Sequence, residues 1–221
     1  PRLVGPVSMS DSPQSSPAAL KGERHGDPQR LGIMGGAFDP PHLAHRALAQ
    51  AALRELSLDE LRIFPTGHAW HKATSLSAPQ HRLVMAERAF AGLPGTVVDD
   101  AELRRSGPTY TLETLQALHL QHPTSQLFLV IGADQARGFE RWNGWQDILN
   151  MATLAVAERD PTAGEWHNPG WGNVVRLHMP VSDLSATEIR RRCLLGLPID
   201  HLVPAGIADY IAQHGLYAAH S

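Results

Sequence analysis

A chain of 221 residues is long enough for one domain with a sizeable core, and 43% hydrophobic with 19% charged residues is the balance of an ordinary globular protein. The formal net charge of −3 argues against a nucleic acid or a membrane surface as partner. No apolar run approaches the ~20 residues of a membrane helix, no basic-then-apolar leader stands at the start, and the single cysteine, Cys193, excludes an internal disulfide framework, so the cytoplasm is the expected location.

Residues 1–29 are rich in Ser, Pro and Gly without periodicity, which predicts a disordered, non-catalytic tail before a domain spanning residues 30–221. From Leu31 onward short apolar runs (31–34, 61–64, 96–98, 127–131, 153–157 and 173–177) alternate with helical patterns near 43–56, 78–91, 110–121 and 143–151. That alternation predicts an α/β fold: a Rossmann-like, doubly wound, mainly parallel sheet with helices on both faces. A helical C-terminal segment follows. Ser185 is expected to cap a helix through a Ser185–Glu188 capping box, and Gly196 to end it. Pro204 is expected to begin a last helix closed by Gly215.

The most informative stretch is Gly35-Gly36-Ala37-Phe38-Asp39-Pro40-Pro41-His42-Leu43-Ala44-His45, between the first strand and the first helix. Two glycines let a phosphate approach the main chain, because no Cβ stands in the way. The prolines suit the entry to the helix. His42 and His45, three apart in its first turn, then lie on one face at the positive end of the dipole, where phosphate is attracted. A solvated helix face is the plainer reading of two histidines. Metal ligation ranks below phosphate contact, because only Asp39 offers a nearby carboxylate.

Three further stretches carry candidate chemistry. Ser185 to Arg190 pairs a capped helix start with a guanidinium, a second phosphate candidate, although a plain capped surface helix explains the same residues. Gly132-Ala133-Asp134 follows an apolar strand, so Asp134 is placed to accept ribose hydroxyls, to cap the next helix, or to do both. Trp142 suits stacking on an aromatic base or burial in the core. The loop from Arg104 runs to Thr111 at a helix start, where free N–H groups meet a carboxylate or simply form a cap. His71 and Lys72 lie in a loop that is usually solvated. The Pro161–Gly172 stretch has loop composition and no assigned role.

The Gly35–His45 string resembles the nucleotidyltransferase signature Gly-x-Phe-x-Pro-x-His-x-x-His, and its Gly-Gly-x-Phe-Asp-Pro-x-His form is most similar to the bacterial nicotinate-nucleotide adenylyltransferase family. Gly132-Ala133-Asp134 with Phe139 and Trp142, the Thr109-Tyr110-Thr111 string, and Leu184 to Arg190 match further motifs of that family in order. The sequence departs from the pattern at Ala44 (usually glycine), Trp70 (proline) and Ala186 (serine). The resemblance implies transfer of the adenylyl group of ATP to nicotinic acid mononucleotide, with release of pyrophosphate. It implies an ATP site at Gly35, Gly36, Ala37, Phe38, His42, His45, Gly132, Asp134, Ser185, Thr187 and Arg190, with His42, His45 and Arg190 catalytic. It implies a mononucleotide site at His71, Lys72, Thr111, the following amide of Leu112, Trp142 and Arg159. Mg²⁺ is expected to arrive with ATP, with no metal site of the protein's own, and homo-oligomer formation is left open. Rival readings are nicotinamide mononucleotide or phosphopantetheine as acceptor, and a non-catalytic nucleotide sensor. The aminoacyl-tRNA synthetases share the His-x-x-His logic, but a basic RNA-binding face is lacking.

Overall fold

Each apolar run forms a strand: β1 (Arg30–Gly36), β2 (Glu60–Pro65), β3 (Thr96–Val98), β4 (Gln126–Gly132), β5 (Ala152–Glu158) and β6 (Val174–His178). The computed structural model describes residues 29–67, 76–158, 166–180 and 182–218, so the expected N-terminal tail lies outside the described residues. All neighbouring strands pair in parallel, in the order β3-β2-β1-β4-β5-β6. Parallel strands need crossovers, and the helical patterns supply them: α1 (Leu43–Glu55), α2 (Pro79–Phe90), α4 (Thr111–Gln121) and α6 (Trp145–Met151). The short α3 (Ala101–Arg104), α5 (Ala133–Ala136) and a 3-10 turn at Phe139–Arg141 add to the expected set; four residues or fewer show no periodicity to read.

Successive side chains of a strand point to opposite faces, and both faces here are apolar. Leu31, Ile33, Leu127, Leu129 and Ile131 pack under α4 and α6, against Leu115, Leu118 and Ile148. Met34, Phe128, Val130, Ala155 and Ala157 face the other way, against α1, α2 and the C-terminal helices α7 (Ala186–Leu194) and α8 (Ile207–Gln213). The sheet is therefore doubly wound, as expected. Among the described residues, no helix is long and apolar enough to cross a membrane.

The C-terminal boundaries need two corrections. Gly196 does close α7, at φ +66, with its N–H on the Cys193 carbonyl (3.1 Å) and the Leu197 N–H on the Arg192 carbonyl (2.9 Å). Pro204, however, does not begin the last helix. Gly206, at φ +78, caps α8, and a left-handed residue cannot continue a right-handed helix from Pro204, which sits in the preceding turn. Ser185 caps α7 by accepting the Glu188 N–H at 3.2 Å, but the reciprocal half of the capping box is missing: the Glu188 carboxylate turns to Arg191 (2.8 Å) and Arg192 (3.2 Å). Those hydrogen bonds, Arg191's above all, pull its pKa down to about 2.

One feature of the sheet positions the candidate site. The β1–β4 ladder ends at Ile33–Leu129, whereas β1 stays with β2 to Gly36–Pro65 and β4 stays with β5 to Gly132–Ala157. The two central strands thus part at their carboxyl ends. This is the switch point of the strand order, where open α/β sheets bind ligands.

Candidate active site

The turn after β1 is built on Phe38. Its backbone takes φ +48, which carries the ring back beneath Gly36: a Cβ there would lie 2.9 Å from the ring. Gly36 therefore makes room for Phe38, not for a phosphate as its motif suggested, although its main chain still lines the cleft. At Gly35 a Cβ would meet only the Phe64 carbonyl, at 4.0 Å. The Phe38 ring lies edge-on to His45 at 5.1 Å and to Phe90 at 5.7 Å. Gly36→Ala is expected to push that ring out of place, at a cost of about 1–3 kcal/mol. Thermal denaturation should register it as a Tm lower by about 2–12 °C.

His42 is the N-cap of α1 and not part of its first turn, so Pro40 and Pro41 precede the cap. Its buried ring stacks on His45, with centroids 3.7 Å apart and planes 22° apart. The His42 main-chain N–H donates to His45 Nδ1 at 3.2 Å. Because an amide can only donate, His45 Nδ1 must accept, which leaves the ring proton on Nε2. His45 is thereby a preset hydrogen-bond donor at the start of a helix.

Arg190 comes to the same place from α7. Its Nη1 donates to the Asp39 carbonyl at 2.8 Å and its Nη2 to Thr187 Oγ1 at 3.2 Å. The arginine run is therefore divided: Arg191 and Arg192 are held by Glu188, and Arg190 alone faces the β1–α1 turn.

Two cavities meet over the parted strands. The first, about 600 Å³, is lined by His42, His45, Ser185, Thr187, Arg190 and Gly132, with Met34, Val130 and Ala157 from one sheet face below. The second, about 350 Å³, is lined by Thr111, Trp142 and Tyr110, over Ile33, Leu129 and Ile131 of the opposite face. They share Gly35, Gly36, Ala37, Asp134 and Gln135. One cavity gathers imidazole, guanidinium and hydroxyl groups; the other offers a helix start and an indole.

The sequence model of the cytidylyltransferase-like family matches residues 33–192. A protein of Albidiferax ferrireducens named "probable nicotinate-nucleotide adenylyltransferase" is 47% identical over 194 residues, covering 86% of this chain and 98% of the relative. One of the same name from Methylibium petroleiphilum is 38% identical, covering 86% and 93%. The chain belongs to the nicotinate-nucleotide adenylyltransferase family. In structure it is similar to a Plasmodium falciparum nicotinic acid mononucleotide adenylyltransferase complexed with NaAD (TM-score 0.72, 19% identity, 86% of this chain and 97% of the other) and to the same enzyme complexed with APC (TM-score 0.71, 18% identity, 86% and 97%). At that identity the likeness speaks for the fold alone.

As a member of this family, the chain places most of its motif residues as their spacing implied, with some differences. Asp134 is the second residue of α5, which Gly132 caps, so the helix-cap alternative for Asp134 falls; its carboxylate lies 2.8 Å from Arg137. The Leu112 side chain packs toward Gly144, and its amide is the second of α4. Trp142 is half-buried on Phe139, at 5.3 Å, and still lines the second cavity. His71, Lys72 and Arg159 lie outside the described residues.

Three residues that line or brace these cavities, Asp39, Arg82 and Glu102, are given no binding role by the sequence reading. Asp39 is buried and takes the Ser77 N–H on Oδ2 (3.0 Å) and the Tyr217 hydroxyl on Oδ1 (2.5 Å). Arg82 is buried and donates to the carbonyls of Ala37 (3.0 Å), Thr66 (2.7 Å) and Ser77 (3.1 Å). Glu102, in the wall of the second cavity, accepts from Thr114 at 2.8 Å, and burial raises its pKa.

Proposed function

We propose that this chain transfers the adenylyl group of ATP to nicotinic acid mononucleotide, forming deamido-NAD and pyrophosphate. The observation that carries the reading is the pair of cavities on opposite sheet faces with a common lip at Gly35–Ala37 and Asp134–Gln135. A two-substrate transfer needs such a junction, because its reacting atoms must meet where two separately bound molecules touch. ATP suits the first cavity, with its triphosphate against His45, Arg190, the Gly35 main chain and the α7 start at Ser185 and Thr187. The mononucleotide suits the second, with its ring on Trp142 and its carboxylate at the α4 start, where Thr111 and the Leu112 amide lie. His71, Lys72 and Arg159 are assigned to its phosphate on the family motif.

In this mechanism an oxygen of the mononucleotide phosphate attacks the α-phosphorus in line. The bond from that phosphorus to the bridging oxygen breaks, and pyrophosphate leaves with its electron pair. The attacking phosphate is already an anion at neutral pH, so no general base is required. What the protein supplies is position and neutralisation of charge spreading onto the leaving group. His45 Nε2–H donates there, Arg190 adds a fixed charge, and His42 supports the stack and lines the cleft.

Mg²⁺ fits as a companion of ATP. In the first cavity the Asp39 carboxylate is committed to Ser77 and Tyr217, and the Asp134 carboxylate lies against Arg137, so the lining suits a metal held by the triphosphate's own oxygens. Bound there, it would neutralise phosphate charge. The cytoplasm is the compartment we assign, in keeping with the lone free thiol of Cys193.

Pyrophosphate release from ATP, with the acid and amide mononucleotides offered side by side, tests the proposal. Release with the acid well above that with the amide is expected. Equal rates would move the acceptor assignment, and no release with either would leave a nucleotide sensor. Trp142→Ala should raise the KM for the mononucleotide about twofold to thirteenfold, from a stacking contribution of about 0.5–1.5 kcal/mol. The KM for ATP should stay unchanged in the same steady-state titrations.

A further inference from the structure

The chain's C-terminal segment reaches back into the site. Beyond α8, Tyr217 adopts φ +63, a left-handed conformation that bulky side chains rarely take, and its hydroxyl donates to Asp39 Oδ1 across 178 positions of sequence. The other Asp39 oxygen is held by the Ser77 N–H, so the carboxylate is gripped on both sides. The carbonyl of the same residue receives Arg190 Nη1 at 2.8 Å. Asp39 is thus a relay: one end is anchored by Tyr217, and the other carries the guanidinium that faces the first cavity.

We propose that Tyr217 is a positioning residue for adenylyl transfer, holding Asp39 so that Asp39 in turn holds Arg190 against the triphosphate. This rests on the adenylyl-transfer reading above. An arginine side chain has four rotatable bonds and loses much freedom when it is held in one place. An anchor on a main-chain carbonyl reduces that loss only while the carbonyl itself is immobile. The Tyr217 hydroxyl supplies immobility from a third element, independent of both α1 and α7. Burial, and next to it the Asp39 charge, raise the Tyr217 pKa above the ordinary phenol value, so the hydroxyl remains a donor throughout the working range of pH.

A tyrosine that merely packs would alter stability and leave the action of Arg190 untouched. A double-mutant cycle separates the two cases, because residues that act through one another give non-additive losses. Tyr217→Phe, Arg190→Ala and the double variant are compared by pyrophosphate release, per folded molecule and well below each Tm. Tyr217→Phe is expected to lower kcat about tenfold with the KM for the mononucleotide unchanged, and to have no further effect once Arg190 is alanine. Asp39→Asn, which addresses the same link from the other end, should show the same dependence on Arg190 and serves where Tyr217→Phe folds poorly. Losses that multiply in the double variants, or a Tyr217→Phe enzyme with undiminished kcat and only a lower Tm, would overturn the proposal. If the wild type itself releases no pyrophosphate, the adenylyl-transfer reading fails instead. The same cycle measured as Kd for α,β-methylene-ATP then decides the role of Tyr217.

Discussion

Replacing His45 with alanine is expected to lower kcat by about 10²–10³, the usual effect of removing one donor aimed at developing negative charge. The reason lies in the ring's surroundings. Its Nδ1 is occupied by the His42 N–H, its faces and edges by His42 and Phe38, and the ring proton sits on Nε2 of a residue that lines the first cavity. The stack and the Nδ1 hydrogen bond fix the direction in which that N–H points. His45→Gln should recover part of the loss, because its amide donates but lacks the stacking that aims it. KM for ATP should move much less than kcat, since a ground-state triphosphate is held by other groups as well. Steady-state pyrophosphate release across an ATP titration measures both constants, and a loss in kcat below tenfold would reduce His45 to a structural role.

Arg82→Met should cost about 3–5 kcal/mol of folding stability, as when one partner is deleted from a buried charged network. The side chain is only 2% exposed, and it serves three carbonyls from three segments: Ala37 in the β1–α1 turn, Thr66 after β2, and Ser77 before α2. Methionine matches its length and packs acceptably, so what is lost is the hydrogen bonding, leaving three acceptors without their donor. Burial already pulls the guanidinium pKa down, while the charge of Asp39 favours its ionised form. A fall in Tm of about 6–20 °C, at about 2–4 °C per kcal/mol, is the expected reading in thermal denaturation. Arg82→Lys keeps the charge but cannot span three acceptors with one ammonium, so it should fall between the two.

The parts of the site that were legible in the sequence are those whose chemistry is local. The β1–α1 string, Ser185 with Arg190, and Thr111 with Trp142 each sit within one turn or one helix start, and residue spacing alone reports such geometry. Errors came where a second local force competed. Gly206 displaced the start expected at Pro204, and Arg191 with Arg192 drew Glu188 away from the capping box. Gly36 misled for a related reason, since the space left by its missing Cβ went to a ring two residues on. The Asp39–Arg82–Tyr217 set was unreadable on different grounds. Its members are brought together by the packing of α2 and the C-terminal segment onto one sheet face, and no periodicity along the chain encodes a meeting of that kind.

The parting of β1 from β4 has a consequence for how such an enzyme can change. Past the end of their ladder these two strands are no longer held at the pairing distance of about 4.8 Å, and the opening between them is bounded by main chain on either side. The reach from donor to acceptor is therefore built into the spacing of the backbone. Side chains on the two flanks can be exchanged, to admit a different base or a different acid, without disturbing the step at which phosphorus changes hands. Diversification of the acceptor and constancy of the reaction would then be two outcomes of a single piece of architecture.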